Sequence, residues 1–259
     1  MTDPTERFSS RVENYIKYRP GYPADVIETL REECGLVPES VVADIGSGTG
    51  ILTRLFLERG HPVFGVEPNR EMREAGMRLL AELPRFTSVD GRAEATALPT
   101  ACVDLVIAGQ AFHWFDQNAA RAEFLRVLRP GGWVALVWNE RLTETTPFLR
   151  EYEALLHRHA IDYAKVDHRR IDETVLAAFF GAGGFRARVF PNRQVFDFDG
   201  IRGRLLSSSY VPGEDDPGHE PMLADLDRLF RAHASNGRAT FEYETKLYFG
   251  RLLDSPASA

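Results

Sequence analysis

Two stretches of this chain hold residues whose types and spacing can do chemistry. The first is Val41-Val-Ala-Asp-Ile-Gly-Ser-Gly-Thr-Gly50, an apolar run ending in Asp44 and then glycine at positions 46, 48 and 50. Glycine has no Cβ, so such a loop turns sharply and lets a ligand lie against bare backbone. A helix that follows presents unpaired N–H groups and the positive end of its dipole. The second is Gln110-Ala-Phe-His-Trp-Phe-Asp116, which gathers an imidazole and three aromatic rings. An imidazole has an intrinsic pKa suited to a general base, which makes His113 a candidate, and the alternative is a structural or substrate-positioning role with Trp114 as a cover.

Spacing distinguishes the ligands that the glycine loop can take. The dinucleotide fingerprint Gly-x-Gly-x-x-Gly sets a pyrophosphate over a helix N-terminus. Here Ile51 stands where its third glycine belongs, and Asp44 would repel a diphosphate while accepting hydrogen bonds from an ammonium group or from loop N–H groups. A cofactor with a cationic amino-acid end fits better. About twenty residues on, His61-Pro-Val-Phe-Gly-Val-Glu-Pro68 reads as a second buried strand ending in Glu67, placed for ribose hydroxyls. The bland reading of Glu67 is a solvated helix entry, since Asn69 and the segment after it begin an amphipathic helix.

The elements that must position these groups follow in order. Arg85–Asp90 reads as strand three and Cys102–Gln110 as strand four. Leu128-Arg-Pro-Gly-Gly-Trp-Val-Ala-Leu-Val-Trp138 reads as a helix end, a turn shaped by Pro130 and Gly131, and strand five. Helices are predicted over 50–59, 147–160 and 172–180. Val189–Phe198 and Phe241–Gly250 alternate with period two and read as strands six and seven, flanking an insertion from Gly200 to Arg238.

Taken together, these motifs resemble the class I S-adenosylmethionine-dependent methyltransferases, whose first motif is acid-x-Gly-x-Gly-x-Gly. The resemblance covers residues 41–138 and implies a Rossmann-like α/β fold, a doubly wound seven-stranded sheet of order 3-2-1-4-5-7-6 with the last strand antiparallel. It implies S-adenosylmethionine as cofactor, S-adenosylhomocysteine as product, and cofactor contacts from Arg19, Asp44, Gly46, Ser47, Gly48, Gly50, Glu67, Pro68, Asn69, Met72, Ala93, Glu94, Gly109 and Gln110. The Ala93-Glu94 pair would face the adenine, and Ala108, Gly109 and Gln110 would line the reaction centre beside the transferred methyl.

The N-terminal run Asn14-Tyr-Ile-Lys-Tyr-Arg-Pro-Gly-Tyr-Pro23 is similar to the entry segment of a small-molecule subgroup related to trans-aconitate methyltransferase. On that likeness Tyr15, Tyr18 and Tyr22 join His113, Trp114, Trp138 and Tyr210 as substrate contacts, and Arg19 pairs with the methionine carboxylate or a substrate acid. The plain alternative is that the tyrosines cover the sheet edge and Arg19 makes a surface ion pair. The expected organisation is one methyltransferase domain over 1–259: a cover segment over 1–39, the cofactor core over 40–140, and a substrate-cover insertion over 200–238.

Composition bounds the remaining choices. The chain has 259 residues, of which 44% are apolar, enough for one sizeable core. Two cysteines, Cys34 and Cys102, make no disulfide framework, and no apolar run approaches a membrane span. Cytoplasmic residence is the default expectation. A net charge of −7 disfavours nucleic acid as partner and favours a small molecule, although His168-Arg-Arg170 is a local basic patch. Neither a membrane partner nor a metal is expected: His157 and His159 point to different faces of one helix. A monomer or homodimer is expected. Three functions stand at this point. One is methyl transfer to a small molecule at oxygen of a carboxylate or hydroxyl, with carbon or nitrogen as variants; the others are a nicotinamide-dependent oxidoreductase and a non-catalytic cofactor binder.

Overall fold

The computed structural model describes residues 17–161, 163, 172–208 and 210–253. Tyr15 and the basic patch at 168–170 therefore lie outside the described residues.

Short apolar runs alternate with amphipathic helices, and the chain folds accordingly. Helix α1 (Asp25–Cys34) precedes β1 (Val42–Ile45), α2 (Ile51–Leu57), β2 (Val63–Val66), α3 (Arg70–Leu79), β3 (Phe86–Val89) and β4 (Val103–Gly109). Then come α4 (Gln117–Val127), β5 (Leu128–Arg141), α5 (Pro147–His159), α6 (Glu173–Phe180), β6 (Arg186–Phe196), α7 (Phe198–Leu206), α8 (His219–His233) and β7 (Ala239–Gly250). The sheet order is β3-β2-β1-β4-β5-β7-β6, with β7 antiparallel to both of its neighbours, as the family resemblance implies. Parallel strands buried on both faces need apolar residues throughout, and all four residues of β1 are buried.

Three apolar clusters result. One face of the sheet packs Ile45, Val106 and Leu136 against Phe124 of α4 and Phe179 of α6. The opposite face packs Val42, Ile107 and Val137 against Ile27 of α1 and Phe56 of α2. A third cluster sits at the far end of β7, where Phe241 and Tyr243 meet Tyr152 of α5, Ile201 of α7 and Leu226 of α8. Helices α7 and α8 thus bury their apolar faces on α5 and on the antiparallel end of the sheet. Cys102 precedes β4 and packs against the first cluster, and no described cysteine is bridged.

Two boundaries differ from the sequence reading. The predicted sixth strand runs through Phe198, but β6 ends at Phe196 because Asp197 caps α7, its Oδ1 accepting from Gly200 N at 2.9 Å. Phe198 and Gly200 are accordingly helical. The predicted turn at Pro130-Gly131 is folded into β5 as an irregularity. Val103 pairs with Leu128 and Leu105 with Trp133, so Arg129–Gly132 face the single residue Asp104. Arg129 Nη1 donates to Asp104 Oδ2 at 2.7 Å and holds that excursion down.

Candidate active site

The carboxyl ends of β1, β2 and β4 meet where the winding of the sheet reverses, the usual place for a ligand in such a sheet. Asp44, Glu67 and Gly109 arrive there on neighbouring strands, since Asp44 pairs with Gly65 and with Ile107. The loop after β1 has positive φ at Gly46, Gly48 and Gly50 (69°, 55° and 85°), a conformation L side chains avoid. A Cβ placed on Gly48 would meet nothing within 4 Å, so the loop backbone there is bare.

Asp44 is 1% exposed. Its Oδ2 accepts from Thr53 Oγ1 at 2.6 Å, while Oδ1 is buried and meets no partner. Burial pushes the carboxyl up to about 7, opposed by the Thr53 hydrogen bond. Glu67 clamps the loop to the next helix: Oε2 accepts from Gly48 N at 2.9 Å and Oε1 from Asn69 N at 2.8 Å. Burial raises its carboxyl too, against those two backbone bonds. Asn69 then caps α3 through Met72 N, a cap contributing about 1 kcal/mol. Met72 itself is buried under the loop side of that helix, and Pro68 gives its carbonyl to Arg73. Ser47 N and Gly46 N both donate to Val66 O, tying the loop to β2.

The segment from Ala93 to Thr96, expected to border the adenine, is braced from α4 and its cap. Ala93 is 4% exposed, and Glu94 Oε1 accepts from Asp116 N at 2.8 Å. Thr96 is hooked by Glu123, whose Oε1 accepts from Thr96 N at 2.8 Å and from Thr96 Oγ1 at 2.5 Å. Arg126 holds the same carboxylate, which is driven down to about 2 chiefly by that guanidinium.

Past β4 the backbone is strained. Gln110 has φ 58° without being glycine, held by its N–H to Val137 O and its Nε2 to Asn139 O at 3.0 Å. The chain then turns through Phe112–Trp114, where Phe112 is buried and the His113 and Trp114 rings lie 4.7 Å apart. Trp138 packs edge-on to Phe112 and to Tyr248 rather than beside His113.

The N-terminal strap crosses this region. A Cβ on Gly109 would stand 2.6 Å from the Tyr22 hydroxyl, so Tyr22 lies directly over the end of β4. Tyr18 lies instead on Gly203 of α7 and edge-on to Phe196, and Arg19 Nη2 donates to Ser207 O at 3.2 Å. Asn139 and Asn192 both donate to Gly21 O, at 3.1 and 2.8 Å, while Thr245 Oγ1 donates to Asn139 Oδ1 at 2.5 Å. Motif reading missed Thr53, Asn139 and Asn192. Thr53 alone left a signal, one helical turn beyond the loop. The Tyr210 ring lies 5.1 Å from that of Tyr163.

His157 Nε2 reaches Glu153 and His159 Nε2 reaches Asp225, so the two imidazoles do diverge. Among the described residues no cluster of three or more metal-ligating side chains occurs, and no helix is long and apolar enough to cross a membrane.

This geometry can be set beside known proteins. A family model described as a methyltransferase domain matches residues 43–136. An uncharacterized methyltransferase of Mycobacterium tuberculosis is 40% identical over 153 residues, 58% of this chain; the match spans 59% of that relative's length. An uncharacterized methyltransferase of Schizosaccharomyces pombe is 33% identical over 227 residues, covering 86% of this chain and 87% of the relative. A solved structure from Anaeromyxobacter dehalogenans, assigned as a type II methyltransferase, superposes with a TM-score of 0.66 at 25% identity, over 92% of this chain and 100% of that one.

Proposed function

The chain belongs to the methyltransferase family, and from that premise we propose that it transfers a methyl group from S-adenosylmethionine to oxygen of a small molecule, at a carboxylate or hydroxyl. The observation that carries the reading is the pair of acids around a bare glycine loop. Asp44 Oδ1 is a buried acceptor without a partner, suited to an ammonium group, and Glu67 stands one strand over with lone pairs left for ribose hydroxyls. When bound, S-adenosylmethionine supplies an electrophilic methyl whose leaving group is a neutral thioether.

The protein's task is then alignment, exclusion of water and an unprotonated acceptor. Tyr22 and Gly109 close the floor and one wall of the cleft; Gln110, fixed by Asn139, sets the direction in which the chain leaves β4. Ala93 and Glu94 border the adenine. His113 serves as base for a hydroxyl acceptor or positions a carboxylate acceptor, which needs no base. Helices α7, which begins at Phe198 and runs into the 200–238 insertion, and α8, within it, cover the acceptor side, and the described residues 17–39 cover the cofactor side. A kinship with the trans-aconitate methyltransferase subgroup belongs to the same proposal.

Calorimetric titration with S-adenosylhomocysteine and with NAD tests the reading. Binding of S-adenosylhomocysteine that is lost in Glu67→Ala supports it. Binding of NAD without S-adenosylhomocysteine overturns it. Turnover of labelled methyl groups on small acids and phenols separates an enzyme from a silent binder, and alkali-labile product identifies an ester.

A further inference from the structure

A buried arginine without a carboxylate stands beside the strap. Arg204 of α7 is 7% exposed, and among the described residues no acid forms an ion pair with it. Its donors meet hydroxyls only, at the long end of hydrogen-bonding range: Nε lies 3.4 Å from Tyr243 OH, and Nη1 lies 3.5 and 3.4 Å from Ser207 and Ser208 Oγ. Its Nη2 donates to no described residue. A guanidinium stays charged, and holding one out of water against neutral oxygens is costly.

Further unused polar groups surround it. Tyr152 of α5 is 2% exposed, yet its hydroxyl makes no hydrogen bond to a described residue, and the Tyr210 hydroxyl donates none. Both rings lie within the electrostatic reach of Arg204. Arg141 stacks its guanidinium 5.1 Å from the Tyr152 ring. Its Nη2 is taken by Glu153 and Tyr163, and its Nη1 is buried without a partner. Arg141 pairs across β5 and β7 with Tyr243, so both project from one face of the ribbon. Glu153 balances Arg141, and the charge of Arg204 is left over among hydroxyls. That arrangement is complementary to an oxyanion.

The cluster also adjoins the proposed reaction centre. Ser207 accepts from Arg19 through its carbonyl and from Arg204 through its hydroxyl, so Arg19 lies two hydrogen bonds from Arg204. Three residues after Arg19, Tyr22 touches Gly109. Even fully extended, those three residues span no more than about 11 Å.

We propose that Arg204, with the hydroxyls of Tyr152 and Tyr210, seats an oxyanion of the methyl acceptor, a carboxylate or a phosphate that serves as a handle and is not itself methylated. The seat selects anionic acceptors over neutral ones of the same shape. The assignment rests on the methyltransferase reading only for what happens to the bound molecule.

The test is calorimetry on the full chain with S-adenosylhomocysteine present, using straight-chain dicarboxylates from malonate to adipate, the matching neutral diamides, and inorganic phosphate. The expected result is binding of at least one anionic probe, no binding of its diamide, and a loss of about thirtyfold or more in Arg204→Gln, partly restored in Arg204→Lys. Tyr152→Phe and Tyr210→Phe keep the melting temperature, because neither hydroxyl bonds to a described residue, yet weaken the anion; they carry the test if Arg204→Gln does not fold. A preference for dicarboxylate or for phosphate tells which oxyanion is the handle. The proposal is overturned if no anionic probe binds, if diamides bind equally, or if affinity is the same in folded variants. Failure of S-adenosylhomocysteine to bind, with Arg204-dependent anion binding intact, would instead sink the methyltransferase reading alone.

Discussion

Thr53 donates to Asp44 across 2.6 Å inside the protein, and this one bond leaves the second carboxylate oxygen of Asp44 buried and unmet. The loop acid is therefore held in place through one oxygen, while the other is the acceptor proposed for the ammonium group of the ligand.

Asp44 gives a pH dependence whose sign follows from its raised carboxyl. The folded chain keeps a proton up to about pH 7 that the unfolded chain releases near about pH 4, so ligand-free stability falls as pH rises through that interval. Asp44→Asn should melt higher than the parent at pH 8, by about 1–3 kcal/mol, with the difference vanishing toward pH 4. The same variant should bind S-adenosylhomocysteine at least tenfold more weakly, roughly the cost of one charge-assisted bond. Thermal melts across pH and a titration check both halves.

Glu123 behaves oppositely. Its carboxyl is depressed to about 2, so its contribution is present above the ordinary carboxylate range and is lost as pH falls through about 2. Glu123→Gln should cost about 1 kcal/mol at pH 7, because Arg126 is partly exposed and screened, and the cost should shrink toward zero as pH falls through about 2. Hydrogen exchange should show the Thr96 amide loosened.

Gly109→Ala is expected to drive Tyr22 from the end of β4. The new Cβ would lie 2.6 Å from the tyrosine hydroxyl and 3.0 Å from Leu52 Cδ2. A cost of about 1–3 kcal/mol is expected, with weakened cofactor binding. Tyr22→Ala should relieve part of that cost in the double variant, and additive losses in the cycle would refute the contact.

His113→Ala separates its two candidate roles. Methylation of a hydroxyl acceptor should slow by about 10²–10⁴ if His113 removes the proton, while a carboxylate acceptor should be nearly unaffected. Unchanged rates on a hydroxyl would leave positioning as its only role.

The loop from Asp44 to Gly50 and the place of Glu67 were legible because each is local, a periodic run, a turn and an acid at a fixed spacing, whereas the strand order followed from the family resemblance. Arg204 and Tyr152 were not, since they are 52 positions apart and meet only after α5 and α7 pack on the sheet. Arg19 shows the same limit from the other side. Its residue type suits a ligand carboxylate, but where the strap lies is set by Asn139 and Asn192, and in this structure Arg19 reaches the carbonyl of Ser207. Trp138 alternates onto the face of β5 that packs on Phe112, a register effect that composition does not reveal.

Strand β6 ends the sheet with one long side unpaired. Along it Pro191 withholds an amide hydrogen, Arg186 and Arg188 pair with Glu33 ahead of the exposed Val189, and Arg193 stands between Val189 and the exposed Val195. Such a margin makes a poor template for another chain's strand. The rim that completes the fold is thereby also the rim that guards it against growing into a larger, aggregated sheet.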